Sequence, residues 1–477
     1  MKTAKGKERP SFLALLAWGI ITLLVLSSIL FIGLRWGAEG FSIFVQQGVY
    51  THLPTTLAAV AITWLLAGWF AYLLYARKFN ATTIFTWTGF FLVALLYLNV
   101  LRERYRFGDI SYYIEAATKL FNNQPLPDTY FYPPLWATLI ELLIPLGEEG
   151  VLLVAWILNV ISTFAFYFLL HRVLERYGFS PRLAAVVTTG FMLVNTPILR
   201  TLMYVQVNLH VMNAVFLSLL LYRRSPFISA LMLALAVHLK ASPAVLVLAF
   251  LLEMDWRWLA WFVVANLLLV SITLVTDGIA PFLDVLNNIT GLAGPRSAIF
   301  HDNSFDSLFV FPTQVFGFSE SLARCLVYVS KGLLLIAVLF LLFRLVRSQV
   351  FFPRREPGAR LFNTIVPLFV LMNLASPVVW VHHGVFLALS FLLLLKRLAT
   401  PGQWTWFGLA YLLEFVLPTF DFYPWSYGRL VAPLICLWLM WQVSADNLSI
   451  MEAGPSSRFE RFNRWLDTFP ELPHAPS

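Results

Sequence analysis

The sequence predicts an all-α, polytopic transmembrane helical bundle, and three observations carry that expectation. Hydrophobic residues make up 59% of the 477-residue chain and charged residues 12%, against about 45–50% and about 25% in soluble proteins. The apolar residues gather in runs near the ~20 residues that cross a bilayer as a helix. Basic residues fall in short clusters between those runs, on alternate connections, as the positive-inside pattern requires. So little charge cannot coat a soluble surface of this size. The net charge of +8 therefore reflects membrane orientation, and no nucleic-acid partner is expected.

The elements follow in order. Lys2, Lys5, Lys7 and Arg9 precede an apolar run at 11–34. That run is too long for a signal-peptide core and lacks a small-residue cleavage site, so it is expected to stay as the first span. Further spans are expected near 55–75, 83–101, 151–170, 183–199, 207–222, 227–239, 241–253, 257–276, 323–346, 361–376, 382–396, 403–419 and 428–446. Some of these are short, which gives roughly 12–14 membrane segments. The run Pro133–Leu146 is short and Pro-led. Counting it as a crossing would move the basic segment His171–Arg182 to the other side, so a re-entrant or surface helix is expected there. Residues 226–253 are expected to bend near Lys240-Ala241-Ser242-Pro243, because a single crossing would turn the Arg344–Arg360 cluster outward. Both termini are then cytoplasmic, and the polar connections 102–132 and 277–322 face outward. Cys325 and Cys436 lie in or beside apolar runs and suggest neither a disulfide nor a metal site.

The first outer loop runs from Arg102 through Arg104, Arg106 and Gly108-Asp109 to Tyr112-Tyr113, and on to Tyr130-Phe131-Tyr132-Pro133-Pro134. A Gly-Asp pair before an amphipathic helix fits an N-cap. It equally fits a carboxylate at the lipid–water boundary that takes a proton from an alcohol. Lys240 lies in an apolar stretch, where a charge costs at least ~2.5 kcal/mol. It needs a partner such as Glu414, a route to the surface, or a task as a cation. His382-His383 have no acidic residue three or four positions on, which argues against a metal and for simple packing. The three arginines suit lipid headgroups, and one of them suits a phosphate. Asn288-Ile289-Thr290 reads as a glycosylation sequon, which a chance match explains as well.

Taken in order, Gly108-Asp109-Ile110-Ser111-Tyr112-Tyr113, Phe131-Tyr132-Pro133-Pro134, Gln206-Val207-Asn208, Lys240-Ala241-Ser242-Pro243, Asn303-Ser304 and Ser376-Pro377-Val378-Val379-Trp380-Val381-His382-His383 form a set. From about residue 100 to 385, that set resembles glycosyltransferase family 87. The resemblance implies a GT-C-type bundle in which residues 1–446 are one transmembrane catalytic domain and 447–477 a cytoplasmic tail. It also implies an enzyme of the cell (inner or plasma) membrane that takes mannose from a polyprenyl-phosphate donor. The sugar would pass to a glycolipid or glycan hydroxyl at the extracytoplasmic face, with inversion. Asp109 matches the family's catalytic base. Lys240, His382, His383, Arg106, Tyr112, Tyr113, Tyr132, Gln206, Asn208, Asn303 and Ser304 are the candidates for binding donor phosphate or substrate. No Asp-x-Asp stands in the first loop, so no metal and no cofactor are expected. The sequence departs from the family at Val205, where Gly is frequent, and at Val381, where a polar residue is frequent. The rival readings are a lipid or sugar transporter or flippase, which also uses broken helices, and a non-catalytic scaffold. No inverted repeat of the hydrophobic pattern is visible, and so long a first outer loop is unusual for a transporter.

Overall fold

A computed structural model describes residues 53–75, 109–291, 303–353, 356–416 and 427–450. The expected spans at 11–34 and 83–101, Arg102, Arg104 and Arg106, and most of the tail lie outside the described residues. Every regular element among the described residues is helical. The chain builds α1 (Leu53–Tyr75), α2 (Ile110–Phe121), α3 (Pro134–Glu141), α4 (Gly147–Arg176), α5 (Pro181–Leu193) and α6 (Thr196–Met203). It continues with α7 (Asn208–Leu221), α8 (Pro226–Leu239), α9 (Val247–Glu253), α10 (Trp256–Thr276), α11 (Ala280–Gly291) and α12 (Phe305–Phe316). The last elements are α13 (Glu320–Ser348), α14 (Ala359–Leu374), α15 (Ala388–Leu395), α16 (Pro401–Tyr411) and α17 (Gly428–Ile450).

Among the described residues, four helices are long and apolar enough to cross a membrane, or five if a bent pair counts as one span. Their surfaces fit that role. On α10, Val263, Leu267 and Val275 are exposed, as are Leu333, Ile336 and Phe340 on α13, leaving an apolar face that lipid would cover. By contrast α14 is buried on every side, which makes it the axis of the bundle. The protein is a multi-pass helical membrane protein.

Three connections position the site. The expected span at 183–199 is two helices, α5 and α6, bent by 60°. Asn195 causes the break: its side chain accepts the Ile198 N–H at 2.9 Å, with Pro197 in the first turn, so a new helix starts inside an apolar run. The second break falls at Lys240, where the backbone is extended (φ −158°, ψ 126°) before a 3₁₀ turn over Ser242–Leu246. Pro243 cannot continue the α8 hydrogen-bond ladder. Third, α3 has eight residues, which rise about 12 Å and cannot cross a bilayer.

The connection 277–322 is partly helical, holding α11 and α12. From α11, the Asp284 carboxylate accepts the Leu126 N–H at 2.9 Å, and Asn288 Nδ2 donates to the carbonyls of Pro127 and Tyr130, both at 2.9 Å. Asn288 is thus a loop clamp. Its Nδ2, the atom a glycan would take, already has two partners. Asp306, in the first turn of α12, pairs with Lys331 of α13.

Candidate active site

The two breaks and the 3₁₀ helix Val381–Leu387 bring charges to one place. Asp109 occupies the N-cap position of α2, but its side chain makes no capping bond. Its Oδ2 lies 3.8 Å from His382 Nε2. Burial pushes the Asp109 carboxyl up to about 6, against the downward pull of the Lys240 and then the Arg200 charge. A carboxylate so placed accepts a proton more readily than an exposed one.

Lys240 is 9% exposed. Its Nζ donates to Asn208 Oδ1 at 3.0 Å and lies 2.6 Å from His383 Nε2. Glu414 is not its partner; that carboxylate packs behind the His pair against Gly384, where any Cβ would come within 2.5 Å of it. Asn208, the first residue of α7, also donates from Nδ2 to the His382 carbonyl at 3.1 Å, and Thr201 Oγ1 reaches the same carbonyl at 3.4 Å. The His383 Nδ1 lies 3.2 Å from the Trp380 nitrogen. The two imidazoles meet edge-on with centroids 4.7 Å apart. The His382 backbone is therefore held by α6 and α7, and the two rings present Nε2 of His382 to Asp109 and Nε2 of His383 to Lys240.

An aromatic wall stands beside the carboxylate. Tyr113 is fully buried, packs edge-on against Tyr132 at 4.9 Å and Trp136 at 6.2 Å, and donates its hydroxyl to Gln206 Oε1 at 3.4 Å. Gln206 Nε2, His382 Nε2 and Trp136 Nε1 are buried without a hydrogen-bond partner among the described residues. Unused buried polar nitrogens are costly unless a ligand completes them. Tyr112 is 47% exposed.

Asn303 and Ser304 are buried but engaged with the protein. The Asn303 N–H and Nδ2 both donate to the Val379 carbonyl, at 2.7 and 3.2 Å, and Ser304 Oγ caps α12 by accepting the Ser307 N–H at 3.1 Å. Asn303 thereby holds the extended segment that leads to His382. Arg106 lies outside the described residues. Val205 has φ +49°, the left-handed region that suits Gly and strains a β-branched residue. The departure from Gly at this position thus falls in the turn that presents Gln206 and Asn208.

Sequence reasoning missed Arg200 and Trp136. Arg200 stands in sequence at the edge of an apolar run, where a charge reads as a surface residue, yet it is 7% exposed, with its guanidinium 5.1 Å from the centre of the Tyr204 ring. The broken α5–α6 pair is the signal that could have found it, since a helix break beside a charge marks a site in membrane proteins. Trp136 carried no signal beyond its place after Pro133-Pro134. Among the described residues, no group of three His, Cys, Asp or Glu is placed to hold a metal ion.

A multi-pass helical bundle with a carboxylate, a buried lysine and two histidines gathered at helix breaks has the architecture of a membrane-embedded enzyme. A family model described as glycosyltransferase family 87 matches residues 130–377, more than half of the chain, and the chain belongs to that family. It is a membrane glycosyltransferase. The matched stretch holds Tyr132, Gln206, Asn208, Lys240, Asn303 and Ser304, and it stops short of Asp109, His382 and His383. No curated protein and no solved structure matches the chain.

Proposed function

We propose that this glycosyltransferase moves a hexose, mannose, from a polyprenyl phosphate to a hydroxyl of a glycolipid or glycan, at the extracytoplasmic face of the cell membrane. The observation that carries the reading is the convergence of Asp109, His382, His383 and Lys240, joined by contacts of 3.8 and 2.6 Å and by edge-on rings. It sets a base beside a cation, which a sugar phosphodiester needs at its two reacting ends.

In this reading Asp109 takes the proton of the acceptor hydroxyl. The oxygen attacks the anomeric carbon from the face opposite the phosphate, and the configuration inverts. The bond from that carbon to the phosphate oxygen breaks, and its electron pair stays on the lipid phosphate. Lys240, fixed by Asn208 and His383, stabilises the charge that grows there. Gln206, His382 and Trp136 offer nitrogens to sugar hydroxyls or phosphate oxygens, and Tyr132, backed by Tyr113, offers a ring face to the sugar.

The test uses purified protein in lipid with labelled polyprenyl-phosphate-mannose and an extract of cell-envelope glycolipids. Wild type forms labelled product, and Asp109→Asn lowers the rate by about 10²–10⁴-fold, the range of general-base catalysis. Equal product from both would remove Asp109 as the base. Movement of the labelled lipid across the bilayer without a new glycosidic bond would place the protein among transporters.

A further inference from the structure

The site contains one more cation than the sequence motifs supply. The Arg200 guanidinium stacks over Tyr204 at 5.1 Å, the Tyr204 ring lies 6.4 Å from the His382 ring, and His382 reaches Asp109 at 3.8 Å. Lys240 touches His383 on the other side of the pair. Two cations therefore flank His382–His383, and the charges of both act on Asp109. The 60° break that starts α6 places Arg200 there.

We propose that Arg200 is a second phosphate-binding cation of the transferase site, sharing the leaving-group charge with Lys240. This rests on the polyprenyl-phosphate reading above. The argument follows the negative charge through the reaction. At the start, Asp109 is a carboxylate and the donor is a phosphodiester monoanion. When the acceptor proton reaches Asp109, that group becomes neutral. In the same step the bond from the anomeric carbon to oxygen breaks, and the lipid phosphate becomes a monoester dianion. Total charge is unchanged, but one unit has moved from the base to the phosphate. Cations that attract Asp109 at rest are released to the phosphate as the reaction advances. Arginine suits this role because its planar fork meets phosphate oxygens in pairs and stays charged in a buried site.

The test measures binding of farnesyl phosphate, with farnesol as the uncharged control, to protein in lipid nanodiscs. Wild type binds the phosphate more tightly than the alcohol. Arg200→Met loses about tenfold or more of the phosphate affinity, the scale of a hydrogen bond to a charged group, and keeps its affinity for farnesol. Arg200→Lys recovers part of the loss. The acid limb of the transfer rate also moves to higher pH in Arg200→Met, because one charge that holds the Asp109 carboxyl down is gone. Asp109→Asn removes the competing anion and tightens farnesyl phosphate several-fold, and that gain shrinks when Arg200→Lys is added, which carries the test even if Arg200→Met fails to fold. Phosphate affinity in Arg200→Met equal to wild type, or an Asp109→Asn gain that is as large with Arg200→Lys as without it, overturns the role of Arg200 and leaves the donor reading standing. No preference in wild type overturns the donor reading, and this inference with it.

Discussion

Lys240 and Lys331 both interrupt apolar runs, and the fold treats them differently. Lys331 lies within α13 with its side chain 24% exposed, and it pairs directly with Asp306. Lys240 stands in a helix break, and its direct partners are neutral: an Asn208 oxygen and a His383 nitrogen. Asp109 acts on it from further away. A lysine matched by a touching carboxylate is fixed in place and fastens two helices, here α12 and α13. One that is held by dipoles keeps its charge available to an incoming anion.

The largest expected difference is in turnover. Lys240→Met should lower the transfer rate by about 10²–10³-fold, the usual loss when one group that stabilises developing charge is removed. Kinetics on correctly inserted protein would measure it. For Lys331→Met the expected loss is in stability, up to about 3 kcal/mol, because Asp306 is left buried without its cation. Adding Asp306→Asn should return most of that in a thermal melt, with turnover close to wild type. A Lys331 variant as stable as wild type but as slow as the Lys240 variant would erase the distinction.

The pH profile sharpens it. In the proposed role Asp109 must be a carboxylate to accept a proton, and burial holds its carboxyl up at about 6, so transfer should fall about tenfold per pH unit below that point. Lys240→Met withdraws a charge that favours the carboxylate and moves the limb to higher pH. Lys331→Met should leave the limb where it is. The smallest effect is expected at Val205→Gly. Relief of about 1–2 kcal/mol of left-handed strain is offset by losing a buried side chain worth about 1.5–3 kcal/mol. Calorimetry should show a melting shift of only a few degrees.

Much of this was legible because membranes make exceptions visible. A lysine and a Ser-Pro in an apolar stretch marked the break at 240, and a short Pro-led run marked α3. The break between α5 and α6 was not legible, because Asn195-Thr196-Pro197 sits in a run whose average hydropathy reads as one span. Arg200 was hidden with it, since a charge beside a span looks like a surface charge until the helix is bent. Asn303 was singled out through its motif, but its partner Val379 lies 76 residues away, and spacing along the chain carries no trace of that pairing. The strain at Val205 is similar: the departure from Gly was visible in the sequence, and the positive φ was not.

The lengths of α7 and α8 have a consequence for how a lipid-borne substrate arrives. Each has 14 residues and rises about 21 Å, roughly 9 Å less than a ~30 Å hydrocarbon layer. At one end Arg223, 46% exposed, meets Glu253 and Asp255 and anchors that end in water. The opposite ends, at Asn208 and Lys240, therefore stop below the other membrane surface, in a recess within the hydrocarbon. If the donor is the proposed polyprenyl phosphate, its long isoprenoid need not be hauled upward into solvent, at about 0.8 kcal/mol for each CH₂ exposed. In that reading its headgroup would sink to meet the protein, and the acceptor alcohol would descend to the same depth, where bulk water is scarce and hydrolysis of the activated sugar is a poor competitor.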